Sequence, residues 1–342
     1  MGTAHGPVVE VGSATVGGGL SSAQSRWEAF LDLPEYAIVM PVRDEVASLG
    51  RTLDSVLAQS HPPRELAVVD DGSSDGTADL ARAYAARHPW IRVVETGGGA
   101  RRARGGRVVE AFEAGAAALD DRTPIVVKLD GDLFLPAHYF AWVAEAFARE
   151  PRAGIVGGVV LEHDGSVWRP AGFNPRHVRG ALKAYRRACL EEIGGLRAAM
   201  GWDGIDEYGA RARGWEVFVL TELVVLHYRR RGGRQRWWRA RIEEGRACHY
   251  MGYRTSFLLA RLPYRALLDW PPVLGALGVA AGFAWSHVRR APQVDDARAR
   301  RLLREEQGRR LGMLHRRRDE PPPPLEGGGP AFWSDGGGGG PG

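Results

Sequence analysis

Two groups of aspartates are the residues of this sequence whose type and spacing could do chemistry. Asp130-Gly131-Asp132 sets two carboxylates on either side of a glycine. Carboxylate oxygens are hard ligands that suit Mg2+ or Mn2+, ions that bridge protein carboxylates to a diphosphate. An ion held this way stabilises negative charge on a departing phosphate group. Taken alone, the triplet is also an ordinary turn, because Asp and Gly both favour that geometry. The second group, Asp70-Asp71-Gly72-Ser73-Ser74-Asp75-Gly76-Thr77, is more particular. Its carboxylates can accept hydrogen bonds from a base N–H or from ribose hydroxyls, and its glycines allow tight backbone geometry. A capped strand-to-helix turn explains part of it, but such a turn does not require two adjacent aspartates.

The surrounding elements decide whether these groups can meet. Tyr36-Ala37-Ile38-Val39-Met40 is a short apolar run that predicts a buried strand ended by Pro41. A helix is expected from Val46 to Gln59, where Leu49, Leu53, Val56 and Leu57 fall at helical spacing. Residues 66–69, 91–94 and 125–129 read as further strands, with helices over 77–87 and 108–119 between them. This alternation predicts an α/β domain with a mostly parallel sheet, flanked by helices. Ligands of such sheets bind outside the carboxyl ends of the strands. Arg43-Asp44-Glu45, Asp70-Asp71 and Asp130-Gly131-Asp132 each stand at such an end. Three polar groups at one sheet edge make a site.

In order, spacing and strand context, Pro41-Val42-Arg43-Asp44-Glu45, DDGSSDGT at 70–77 and DGD at 130–132 resemble the family 2 glycosyltransferases of the GT-A (Rossmann-like) fold. The resemblance covers roughly residues 35–230. It implies a nucleotide-sugar site in which Pro41, Glu45, Asp70 and Asp71 contact the nucleoside, with Arg43 and Asp130 beside them. Asp132 would be the main ligand of Mg2+ or Mn2+, and His227, after the last core strand, a further metal or diphosphate contact. Arg107, at the start of a helix, would reach the base or diphosphate. Arg229, beside Arg231, Arg234 and the Gly232-Gly233 pair, would belong to a loop closing on the diphosphate. Asp44 stands where asparagine is common in the family, an isosteric change.

The resemblance also implies inversion, which needs a base for the acceptor hydroxyl. The matching stretch is Gly201-Trp202-Asp203-Gly204-Ile205-Asp206-Glu207. Asp206 is the favoured base, with Glu207 close behind and Asp203 a further possibility; the usual Glu-Asp order is reversed here. Two acids in the first turn of a helix are also what the helix dipole favours. Trp202 would stack on the acceptor sugar. Gln235-Arg236-Trp237-Trp238-Arg239 approaches the QxxRW motif of processive synthases, but Trp238 takes the arginine's position, so a non-processive enzyme of cell-envelope or exopolysaccharide type is expected.

The bulk numbers set outer bounds. The chain has 342 residues and is 44% hydrophobic, with 46 Lys+Arg against 41 Asp+Glu, a formal net charge of +5. Eight arginines crowd the stretch from Arg229 to Arg246, a basic field that suits phosphate or anionic lipid. Cys189 and Cys248 fit neither a CxxC nor a metal-ligand spacing, which predicts two unpaired thiols in a reducing compartment. The sequence is expected to divide into a tail (1–33), a catalytic domain (34–230), a basic and apolar helical region (231–312) and a Pro/Gly-rich tail (313–342). Both tails are too poor in apolar residues to offset chain entropy. Pro271 to Ser286 is uncharged and mostly apolar. It is shorter than the roughly 20 residues a spanning helix needs, so it reads as a buried helix or as an interfacial or re-entrant membrane segment.

No basic segment followed by an apolar core opens the sequence, which predicts a cytoplasmic location, at the inner face of the membrane. The expected partners are a nucleoside-diphosphate sugar, a glycan or lipid-linked acceptor and an anionic membrane surface, with no nucleic acid. Two other readings are a nucleotidyltransferase and an inactive nucleotide-sugar-binding protein. The first would carry a Gly-rich, lysine-bearing phosphate loop early in the chain, where PVRDE stands instead. A nucleic-acid-binding protein would not place three acidic groups at strand ends, where they repel phosphate unless metal is bound.

Overall fold

The computed structural model describes residues 33–97, 106–163, 168–170, 174, 176–228, 237–268 and 272–313. The chain divides into two compact units between Arg236 and Trp237. In the first, strands β1 (Tyr36–Val42), β2 (Glu65–Asp70), β3 (Ile91–Glu95) and β4 (Ile125–Leu129) alternate with helices α1 (Val46–Leu57), α2 (Thr77–Ala85) and α3 (Gly106–Ala116). A two-residue strand β5 (Leu133–Phe134), helix α4 (Tyr139–Arg149), and strands β6 (Ala153–His163), β7 (Trp168–Pro170) and β8 (Leu182–Arg186) follow. Helices α5 (Arg187–Glu192) and α6 (Trp202–Arg211) then lead to β9 (Glu216–His227).

All nine strands form one sheet in the order β3-β2-β1-β4-β8-β6-β9-β5, with β7 against β6. Pairings of β1 with β2 and β4, of β2 with β3, and of β6 with β9 are parallel. Because β8 is antiparallel to both β4 and β6, the carboxyl ends of β1, β2, β4, β6 and β9 all lie at one edge. The sheet is mostly parallel, as the alternation predicted, with β5, β7 and β8 reversed.

β1 is apolar throughout because helices cover both its faces. Tyr36, Ile38, Met40 and Val42 pack with Leu49, Leu53 and Val56 of α1 and with Phe140 and Phe147 of α4. Ala37 and Val39 face the other way, toward Val109 and Phe112 of α3. Two lysines stand inside strands and away from solvent. Lys128 of β4 and Lys183 of β8 are directly opposed in the antiparallel register, and both are buried.

The second unit holds α7 (Trp237–Tyr250), α8 (Thr255–Leu268), α9 (Leu274–Val288) and α10 (Ala297–Met313). The expected apolar segment at 271–286 lies largely within α9. Here α9 packs on α7 at backbone distance, since a Cβ at Gly282 would overlap the Ile242 carbonyl and one at Gly245 the Val279 carbonyl. Among the described residues no helix is long and apolar enough to cross a membrane.

Candidate active site

The loop after β1 and the loop after β2 are sewn together. Ser73 Oγ accepts the Asp44 N–H at 3.0 Å, Thr77 Oγ1 accepts the Glu45 N–H at 2.8 Å, and Asp75 Oδ2 accepts the Val46 N–H at 3.2 Å. In return, the Ser74 N–H donates to Asp44 Oδ1 at 2.7 Å. These bonds satisfy the orphan amides at the start of α1. Asp44 takes φ +53° in this turn, a region that Asp tolerates better than most residues. The run of Ser, Asp and Thr at 73–77 thus ties the loop after β2 to the loop that carries Arg43 and Glu45.

Asp71 is the centre of the first group. Its Oδ2 pairs with Arg107 Nη2 at 2.7 Å and with Arg43 Nη1 at 3.7 Å. Thr96 donates to its Oδ1 at 3.2 Å. Burial holds the carboxyl above the usual carboxylate range, against the pull of Thr96 and Arg43. Asp70 is buried, accepts the Ser73 N–H through Oδ2 at 3.1 Å, and leaves Oδ1 without a hydrogen bond. Pro41 is buried within β1, beyond the last residue that pairs with β4, so it shapes the strand end without presenting a polar atom.

The second group forms around Asp132. The Leu133–His227 pairing of β5 with β9 sets His227 beside Asp132, and Tyr228 N–H donates to the Asp132 carbonyl at 2.9 Å. His227 Nε2 lies 3.0 Å from Asp132 Oδ1, and ligand atoms of Asp130, Asp132 and His227 all fall within 4.8 Å of one another. A separation of about 3 Å is what two neighbouring ligands span around an octahedral ion at about 2.1 Å. His227 Nδ1 lies 3.7 Å from Glu162 Oε1, on the paired position of β6.

Glu45 belongs to this second group rather than to Asp71. A Cβ on residue 131 would overlap Glu45 Oε2 and Val42 Cγ1, so only glycine fits between the two aspartates. The Glu45 carboxyl is pushed up to about 9, by burial first and then by Asp132 and Asp130. Lys128 Nζ bonds Asp130 Oδ1 and the Gly180 carbonyl. One lysine among three carboxylates leaves an excess of negative charge and an unbonded buried oxygen on Glu45. Both features fit a divalent cation, and the donor set of carboxylate oxygens plus one imidazole suits Mn2+ or Mg2+.

The third group lies at the start of α6. Lys183 Nζ, fully buried, donates to both Asp206 oxygens at 3.0 Å and to Glu207 Oε1 at 3.1 Å. Burial opposes its charge, but Asp206 and Glu207 outweigh that and hold it above its ordinary value. Tyr185 OH donates to Asp206 Oδ2 at 2.6 Å, and Val178 N–H to Glu207 Oε1 at 2.8 Å. The side chains of Asp206 and Glu207 are 1% and 3% exposed, that of Asp203 33%. Asp206 and Glu207, the two acids favoured as base, both neutralise a buried lysine and are almost wholly shielded from solvent. Asp203 alone among the three is partly open to solvent, close to Gly180 and with His177 Nε2 at 3.8 Å.

Trp202 is also corrected. It is buried in the second apolar cluster, with Lys128 and Lys183 over its ring at 5.5 and 5.8 Å, so its faces are not offered to a sugar. Arg229, with Arg231 and Arg234, lies outside the described residues. Sequence reasoning passed over Lys128, Lys183, His177 and Thr96. The signal for the lysines was there, a cation flanked by apolar residues inside each of two strands; His177 and Thr96 had none.

Comparison with known proteins follows this geometry. Glycosyltransferase AglE of Haloferax volcanii is 31% identical over 64 residues, 18% of this chain and 21% of that protein, so the match spans about a fifth of the relative's length. S. aureus TarS 1-349 in complex with UDP-GlcNAc superposes with a TM-score of 0.50 at 15% identity, over 81% of this chain and 92% of that one. GalNAc-T7 with UDP, GalNAc and Mn2+ gives 0.54 at 14% identity, over 83% and 58%. These likenesses show the fold, that of the GT-A glycosyltransferases. Residues 34–248 match Glycosyltransferase like family 2, and the chain belongs to that family.

Proposed function

We propose that this protein is an inverting glycosyltransferase that moves one sugar from a nucleoside-diphosphate sugar to a hydroxyl acceptor. The observation that carries the reading is the meeting of Asp71 with Arg43 and Arg107, and of Asp130, Asp132 and His227, at one sheet edge. Asp71 and Asp70 bind the nucleoside, and Arg43 and Arg107 orient Asp71 and approach the diphosphate. Asp132 and His227, with Asp130 beside them, would hold Mg2+ or Mn2+. Such an ion, when bound, supplies positive charge against the leaving diphosphate. GalNAc-T7 was solved with UDP and Mn2+, and TarS with UDP-GlcNAc, which supports the same ligand class here.

Asp203 takes the base role in this reading. It accepts the proton of the acceptor hydroxyl as that oxygen attacks the anomeric carbon opposite the diphosphate. Lys183, Asp206 and Glu207 fix the N-terminal turn of α6 and thereby the position of Asp203. Lys128 joins Asp130 to Gly180, linking the metal-type group to the segment that faces Asp203. The acceptor is a glycan or lipid-linked intermediate of cell-envelope polysaccharide, used at the inner face of the membrane.

The test is a panel of nucleotide sugars assayed for hydrolysis and transfer with Mn2+ or Mg2+. Metal-dependent turnover of at least one donor is expected. Binding without turnover would favour an inactive nucleotide-sugar-binding protein, and neither binding nor turnover would refute the reading.

A further inference from the structure

Helix α9 has two apolar faces, and among the described residues only one of them is packed. Gly275, Ala276, Val279, Gly282, Phe283 and Ser286 are buried, and this face lies against α7 and α8. Leu274, Leu277, Ala281, Trp285 and Val288 are exposed at spacings of three, four, four and three residues. That spacing places them along one side of the helix. The large members of this stripe are 52% to 78% exposed. The stripe carries no charge over its length and ends at Arg289 and Arg290, both exposed, with the Arg289 guanidinium 4.5 Å over the Trp285 ring.

The patch extends past the start of the helix. Val273 N–H bonds the Ala266 carbonyl at 2.9 Å, which sets exposed Val273 and Leu274 beside the end of α8, where Leu267 is 79% exposed. Leu259 and Tyr264 of α8 are exposed as well. So many exposed large aliphatic and aromatic side chains on two neighbouring helices are far from what a solvated helix pair presents.

Charge selects the occupant. The described residues of the second unit contain fourteen arginines and six carboxylates, a net +8, whereas the whole chain carries +5. Arginines bordering an apolar stripe with a tryptophan match a bilayer interface with anionic headgroups. A second copy of the unit would set this net positive charge against itself. Helix length selects the mode. Fifteen residues rise about 22 Å, short of the roughly 30 Å hydrocarbon core, so the helix lies in the interface plane.

We infer that α9, with the end of α8, is a monotopic membrane-docking surface that inserts Leu274, Leu277, Trp285 and Val288 among the lipids of an anionic bilayer. Arg289 and Arg290 meet the headgroups. The surface gives the proposed membrane-face location a physical basis, and it stands independently of the transferase chemistry.

Cosedimentation of the full chain with phosphatidylcholine vesicles, with and without phosphatidylglycerol, tests it. The native protein is expected to bind the phosphatidylglycerol vesicles, more weakly as salt rises. Leu277→Glu/Trp285→Glu is expected to weaken binding about tenfold or more. Arg289→Glu/Arg290→Glu should lose the preference for phosphatidylglycerol. Both variants should keep the native circular dichroism spectrum and the metal-dependent hydrolysis of a nucleotide sugar, so failure here is separable from failure of the transferase reading. Absence of vesicle binding by the native chain overturns the inference. So does undiminished binding by Leu277→Glu/Trp285→Glu. A native dimer that this variant converts to monomer, with no vesicle binding by either, would assign the stripe to a second copy and overturn it too.

Discussion

Asp203, Asp206 and Glu207 stand within one turn and a half of helix, yet their surroundings give them different work. A base must meet a hydroxyl that arrives from solvent, and of the three only the Asp203 carboxylate is partly exposed. Asp203→Asn is therefore expected to lower kcat about 10²- to 10⁴-fold while leaving donor affinity unchanged, as read by calorimetry and initial rates. Asp206→Asn should act on the fold instead. It weakens the hold on Lys183 and is expected to cost about 1–3 kcal/mol in denaturant unfolding. Lys183→Met strands two buried carboxylates, and a loss of roughly 3–5 kcal/mol is expected. The opposite pattern, with Asp206→Asn folding normally and losing transfer, would restore Asp206 as base. The sequence placed all three acids at the start of a helix but not their depth, because depth is set by Lys183 and Tyr185, some twenty residues upstream on β8.

Among the elements, the strands that carry the site were the most legible part. β1, β2 and β4 are short apolar runs that end at polar residues, and a run buried on both faces has no other local reading at that length. The pairing of β5 with β9 was not legible. Two residues are too few to show a period, and the contact joins positions almost a hundred residues apart. This pairing nevertheless brings His227 to Asp132, so the proposed metal site depends on it. Gly131 is the most sensitive backbone position in the group. Gly131→Ala would drive a methyl group into Glu45 and Val42, a clash worth about 1–3 kcal/mol. Metal-dependent hydrolysis should fall sharply in that variant, while circular dichroism still shows a folded chain.

At the scale of the whole molecule, the family and the mostly parallel sheet could be anticipated, whereas the order of its second half, with β8 between β4 and β6, and the exposed stripe on α9 could not. Residues 271–286 read equally as a buried helix or a membrane segment, and among the described residues the structure divides that choice by face: one side is packed and the other is open. Linkage gives a global test of the nucleotide site. A ligand at about 100 times its Kd adds about 2.7 kcal/mol of stability, a rise of about 5–10 °C in Tm for a domain of this size. A matching nucleoside diphosphate with Mn2+ should produce that shift, and a chelator should abolish it. The most direct measurement is a calorimetric titration of nucleoside diphosphates into the protein with Mn2+, repeated with Asp132→Ala. At least one diphosphate is expected to bind the native protein only when metal is present, and Asp132→Ala should lose that metal-dependent binding. Equal binding by the two proteins, unchanged by a chelator, would contradict the assignment of the Asp130–Asp132–His227 group as the metal and diphosphate site.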